Sequence, residues 1–309
     1  MWFKNGTHDV QVAEGITSAQ FVAPHADLRA YVTTYYIAEV NSPDGQMVED
    51  LLHPEWGSVR YICSGAVQGS AHPEPLKPVP PVTLVGHSSR ATRIGCVTMR
   101  IVSFGLLPLG WHHLIGLPAA RFADQSVDAY TLKTRINFAA LFPAVAAAQT
   151  LEDVATIFDN VLRQSLMQTP EAAKSDDDLI HGLHTALLDS DFTSVTEIAE
   201  RLNVSGMQLE RLSKRVFGFP PKLLIRRQRF LRTLALLMRQ PEAKWGEILD
   251  PQYYDQAHFN RDFQRFFGMA PKQYLVLAKP IVSVAAMARM KALGDPLQGN
   301  HAPGGEALG

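Results

Sequence analysis

Residues 193–217 read TSVTEIAERLNVSGMQLERLSKRVF, and almost every position in the stretch has a structural use. Thr193 or Ser194 can cap a helix whose buried stripe is Val195, Ile198, Ala199 and Leu202. That is the spacing of one face of an amphipathic helix. Ala199 is small enough to let a second helix approach closely. Asn203 falls where a tight corner needs positive φ, which Asn tolerates better than other non-glycine residues. Val204 plugs the corner, and Ser205 is a good N-cap for the next helix. That helix buries Leu209 and Leu212 and turns Gly206, Met207, Gln208, Glu210, Arg211, Lys214 and Arg215 outward. A capped helix, a corner and a second capped helix with a basic outer face form a helix-turn-helix, whose second helix fits a DNA major groove. There an Arg can make two hydrogen bonds to guanine, and a helix N-terminus with nearby basic groups can meet phosphates.

The charge distribution supports a polyanion partner. The net charge of the 309 residues is −1, yet residues 193–279 carry 15 Lys+Arg against 8 Asp+Glu, while residues 1–192 carry 12 against 20. A basic island of +7 thus follows an acidic front of −8, the electrostatic footprint of a nucleic-acid-binding domain. The acidic front could also mask the island until a ligand arrives. Within the island a long basic helix, PPKLLIRRQRFLRTLALLMRQ, ends before Pro241. A second short helix starts there, and then comes YYDQAHFNRDFQRFFGMAPKQYL. Here Asp255 is an N-cap, Phe259, Phe263 and Phe266 form an apolar stripe, and Gln256, Ala257, Asn260 and Arg261 lie on the outer face. Two such units joined by one helix can reach successive major-groove faces about 34 Å apart.

The island resembles the DNA-binding domain of the AraC/XylS family of transcriptional regulators over residues 195–276. The likeness runs from Ile198-Ala199 through Leu202, Ser205, Gln208-Leu209-Glu210-Arg211 and Gly218-Phe219-Pro220-Pro221-Lys222. It continues through Arg226, Arg229-Phe230, Leu236-Leu237, Tyr253 to Phe259, Arg261-Asp262-Phe263 and Phe267 to Pro271. The resemblance implies base reading by Met207, Glu210 and Arg211 in the first unit. In the second unit it implies base reading by Gln256, Ala257, Asn260 and Arg261. It implies phosphate contacts by Ser205, Lys214, Arg215, Lys222, Arg226, Arg265 and Lys272. The implied partners are double-stranded DNA, a small-molecule effector, RNA polymerase and a second copy of the chain. Neither a cofactor nor a catalytic residue is implied.

The second unit departs from the family pattern. In WGEILDPQYYDQ, Gln252 stands where a turn Gly is expected, and Pro251 ends the preceding helix early. Gly246 costs that helix about 1 kcal/mol relative to Ala. The departure predicts a short, loosely docked second unit that reads DNA more weakly than the first. In the first unit, Ser213 replaces the usual Phe.

The front of the chain is β-rich. Tyr31 to Val40, Ser58 to Ile62 and Gly95 to Phe104 have strand character. Ser42-Pro43-Asp44-Gly45, Gly65 to Ser70 and the Pro-rich run Pro73 to Pro81 read as turns. Strands at that spacing predict a small barrel or sandwich. Leu151 to Leu166 then places Val154, Ile157, Phe158, Val161 and Leu162 on one helix face. Residues 50–135 carry a weaker likeness to the sensor or oligomerisation domain of one AraC-like subgroup. It rests on Trp56, Arg60, Leu84-Val85-Gly86, Phe104-Gly105, Leu107 to Gly110, Leu117-Pro118-Ala119, Asp124 and Val127-Asp128.

The fold class expected is α+β: a β-rich domain with closing helices over 1–168, a linker over 169–178 and a double helix-turn-helix domain over 179–279. A tail over 280–309 completes the chain, its Gly/Pro-rich end from Gly294 onwards disordered. The composition, 46% hydrophobic and 19% charged, excludes a disordered chain. Two cysteines exclude a disulfide framework. No apolar run spans a membrane and MWFKNGTHDV has no signal-peptide core, which predicts a cytoplasmic, nucleoid-associated protein. P-loop, HExxH, GxSxG and GxGxxG patterns are absent from the sequence. The alternative reading is a small-molecule-binding or metal-dependent barrel enzyme with an accessory helical domain. It would use His53, His72, His87, His112 and His113 with Glu55, but His112 and His113 are adjacent, and on a strand they would face opposite ways.

Overall fold

The computed structural model describes residues 17–240 and 245–304. Among them, eight strands form one antiparallel sheet: β1 (Thr17–Val22), β2 (Val32–Asn41), β3 (Val48–Leu52), β4 (Ser58–Ala71), β5 (Lys77–Pro78), β6 (Val82–Val85), β7 (Thr92–Leu106) and β8 (Ser126–Asp128). The main path runs β1-β2-β7-β4-β6-β8, with β3 paired to β7 and β5 to β4. The front half is thus a single sheet rather than two packed ones. Its spine is the β4–β7 pair, whose register shifts between Ile62/Ser64 and Gly65/Val67. The predicted turn at Gly65 to Ser70 is therefore part of a long bulged strand. Gly65 sits at φ +77°, and a Cβ there would lie 2.0 Å from the Thr98 carbonyl oxygen. Two helices, α1 (Phe138–Ala147) and α2 (Leu151–Met167), cover one face of the sheet. Val154, Phe158 and Leu162 of α2 pack there against Tyr35, Tyr61 and Phe104.

The described residues that follow are mainly helical: α3 (Asp177–Leu188), α4 (Val195–Arg201), α5 (Gly206–Phe217), α6 (Pro221–Arg239), α7 (Trp245–Ile248), α8 (Gln256–Phe267), α9 (Pro271–Val276) and α10 (Val282–Leu293). It does not form a core of its own. Trp56, Leu107 and Leu109 of the front half share one apolar cluster with Ile180, Ile198, Leu209, Leu212 and Phe217. Leu51 and Ala91 join a second cluster with Phe230, Phe259, Phe263 and Tyr274. Buried polar contacts seal the junction. The Ala91 amide donates to the Phe266 carbonyl at 2.7 Å, and the His87 Nε2 meets the Val216 carbonyl at 3.0 Å. Arg227, fully buried on α6, lays its guanidinium 3.9 Å from the centre of the Trp56 ring and donates to the Ser88 carbonyl at 2.9 Å.

Two sequence expectations change. Residues 169–178 are not a free linker: they hold a helical turn, Glu171–Lys174, and two of their acids tie to other elements, Asp176 to Arg215 and Asp177 to His113. The segment after 280 is also not a loose tail. Asp50, buried, accepts the Ile281 and Val282 amides at 2.8 and 2.7 Å, α10 packs on β1, and Arg289 lies over the Phe21 ring at 4.6 Å. Leu297 to Asn300 are buried despite their Gly/Pro-rich surroundings, because Gln298 reaches Thr33 in the sheet and Gln228 donates to the Gly299 carbonyl. The last five residues, 305–309, lie outside the described residues.

Candidate nucleic-acid interface

The first unit forms as its sequence dictates. Ser194 caps α4 in a reciprocal box with Glu197: the Glu197 amide donates to Ser194 Oγ at 3.2 Å, and the Ser194 amide to the Glu197 carboxylate at 3.2 Å. Asn203 takes the left-handed corner at φ +52°, and the Val204 amide closes the turn on the Ala199 carbonyl at 3.0 Å. Ser205 and Gln208 make the same reciprocal cap on α5, at 3.3 and 2.9 Å. Gly218, at φ +83°, ends that helix. The reciprocal caps satisfy amides that helix termini otherwise leave unpaired. Ser213, where an aromatic was expected, is buried and donates to the Phe219 carbonyl at 2.6 Å.

Met207, Glu210 and Arg211 are exposed on α5, with Met207 at 84%. Lys214 is exposed and pairs with Glu210 one turn away at 2.8 Å. Arg215 reaches back to Asp176 at 2.5 Å, so its charge is shared with the start of the helical half. Lys222, Arg265 and Lys272 are exposed at or near helix ends.

The second unit is not loosely docked. Among the described residues before its corner, Trp245–Ile248 is helical, with Pro251 following. Yet α8 is fixed on α6 through Asp262, whose side chain is fully buried. Arg226 donates to Asp262 Oδ1 at 2.5 Å, Arg229 to Oδ2 at 2.6 Å and the Tyr253 hydroxyl to Oδ2 at 3.1 Å. Burial pushes the carboxyl pKa up, but the hydrogen bonds and charges of Arg226 and Arg229 outweigh it and hold the group below the usual carboxylate value. Around this centre Phe259, Phe263, Phe266 and Phe267 pack on Phe230. Arg226 is therefore tied to a fully buried carboxylate, whereas Lys214 and Arg215 pair with partly exposed acids. The missing turn glycine is compensated by Gln252, whose amide donates to Asp250 Oδ1 at 2.9 Å, while Arg232 pairs with the same carboxylate.

Asp255 caps α8 by accepting the His258 amide at 2.6 Å, and Gly268, at φ +69°, ends it. The two twelve-residue helices thus share one design, a polar N-cap and a left-handed glycine C-cap. Gln256, Ala257, Asn260 and Arg261 are exposed on the outer face of α8. Tyr254, 94% exposed immediately before the cap, had no assigned role. Its signal is the second aromatic of a Tyr-Tyr pair whose first member, Tyr253, is buried. Asp262 and Arg227 were also missed as determinants, because their partners lie far away in sequence.

Residues 198–276 match the family described as "Helix-turn-helix domain". The chain is accordingly a DNA-binding transcription regulator. Its helix-turn-helix domain is of the AraC type. Among solved structures, a variant of ToxT from Vibrio cholerae in its apo form shares 14% identity over 79% of this chain and 98% of that one, with a TM-score of 0.44. ToxT from another Vibrio cholerae strain shares 11% over 85% and 97%, with a TM-score of 0.42. The AraC-like transcriptional activator CuxR shares 13% over 72% and 88%, with a TM-score of 0.23. No curated protein matched. No helix of the described residues is long and apolar enough to cross a membrane.

Proposed function

We propose that the protein reads a specific duplex sequence with both α5 and α8, and that its front half modulates that reading. The observation that carries this is the pair of twelve-residue helices, each capped alike and each exposing polar and basic side chains. Met207, Glu210 and Arg211 read bases from the first helix, and Gln256, Ala257, Asn260 and Arg261 from the second. Arg211 and Arg261 are the groups suited to paired hydrogen bonds with guanine. Ser205, Lys214, Arg215, Lys222, Arg265 and Lys272 hold phosphates, with Arg226 contributing mainly by fixing α8.

Modulation by the front half is supported by the shared cores: a change in the sheet reaches the reading helices through Trp56, Arg227 and Ala91. A small-molecule effector has room in a cavity of 740 Å³ lined by His181, Arg232, Leu236, Asp295, Asn300 and Pro303, within the size range of ligand sites. Homodimerisation and contact with RNA polymerase complete the proposal.

Selection from a random duplex pool with the full chain tests it. The expected result is one enriched motif long enough for two groove contacts about one helical turn apart. Enrichment of a motif spanning a single groove contact would remove α8 from the reading. No enrichment, at any salt, would remove the function.

A further inference from the structure

The junction between the halves holds a cluster that DNA reading does not use. Trp111–Ile115 is a π-helical turn rather than a strand. Such turns recur at functional sites. It puts the His112 and His113 rings on related sides, their centres 5.0 Å apart. Asp177, the first residue of α3, approaches from the helical half, and His113 Nε2 lies 2.7 Å from its Oδ1. One ligand atom from each of His112, His113 and Asp177 falls within 4.8 Å of the others.

We propose that His112, His113 and Asp177 form a transition-metal site, best suited to Zn²⁺, which ties the front half to the first helix of the DNA-binding half. Two imidazoles and a carboxylate, with a fourth position for water, are an open tetrahedral donor set. Ligands about 2.0 Å from such an ion stand about 3.3 Å apart, so the 2.7 Å and 4.8 Å limits require only small rotations of these side chains. The rings are already held. His112 Nε2 meets the Ala173 carbonyl at 2.8 Å, and the His113 ring is buried edge-on to Tyr31. Carbonyl contacts of this kind orient metal-ligating histidines. Asp177 is partly exposed, leaving an approach for the ion. Its neighbour Asp176 holds Arg215 of α5, so the site lies one residue from a tie to a reading helix.

The test is Zn²⁺ binding to the full, chelator-treated chain, followed by competition with a chromophoric chelator. The expected result is one equivalent bound with micromolar or tighter affinity. His112→Ala and Asp177→Asn should each weaken it at least about tenfold, while His25→Ala, at an exposed histidine of the front half, should leave it unchanged. Replacing Zn²⁺ by Co²⁺ in the unaltered protein should give the visible bands of a four-coordinate ion, a readout that needs no variant to fold. Absence of a stoichiometric site, the absence of those bands, or an affinity in both variants equal to that of the unaltered protein would overturn the proposal.

Discussion

Replacing Asp262 by Ala should loosen the second unit, and the cost can be worked from its surroundings. The carboxylate is fully buried and accepts from Arg226, Arg229 and Tyr253. At an effective dielectric near 20, a charge pair about 4 Å apart contributes about 4 kcal/mol before desolvation. Desolvation offsets much of that in the intact site. In the variant, Arg229 keeps its burial and loses its counter-charge, and breaking buried pairs of this kind costs about 3–5 kcal/mol. For a chain of this size that lowers Tm by about 5–8 °C. The assay is calorimetric melting at pH 7, with hydrogen exchange over α8 to locate the loss. Because the folded pKa of Asp262 lies below its ordinary 3.8, its stabilisation is complete above that value. It is lost as pH falls through the folded pKa. The variant should therefore lose less stability than the parent between pH 4 and the acid limit. A Tm within about 2 °C of the parent at pH 7, with unchanged exchange in α8, would refute the reasoning.

Three further outcomes follow from the same contacts. Asn203→Ala places an ordinary side chain at φ +52° and should cost about 1 kcal/mol, while Asn203→Gly should cost nothing; melting curves decide. Single Ala substitutions at Lys222 and Lys272 should each lower the slope of log affinity against log salt by about 1, without changing which sequence is preferred. Arg227→Ala leaves the Ser88 carbonyl without its donor and should cost about 1–3 kcal/mol, with faster amide exchange in the Ser88 to Ala91 stretch.

The first unit was legible because its determinants are local. Ser194, Asn203, Ser205 and Gly218 each act on residues within five positions, and short-range capping and φ preferences can be read from a single chain. The same holds for Asp255 and for the phenylalanine stripe of α8. The docking of that helix was not legible. Pro251 and Gln252 do weaken the turn locally, but Asp262 sits 33 and 36 residues from the two arginines that hold it. The fate of the chain after 280 was hidden for a similar reason. VSVAAMARMKAL has small apolar residues around its whole circumference, so no stripe announces which face meets β1. The adjacent histidines misled because their side-chain directions were judged on a strand, and the chain there is a π-helical turn. The contact between Trp56 and Arg227 was not legible either, since the two lie far apart in sequence and meet across the junction.

The central claim is that α5 reads bases. It is tested most directly by measuring the affinity of the parent protein and of Arg211→Ala for every single-base variant of the selected operator. The account predicts that the parent discriminates at one guanine by about 1–3 kcal/mol and that the substitution abolishes discrimination there while leaving the other positions intact. A uniform loss across all sequences, or discrimination unchanged at every position, would contradict it.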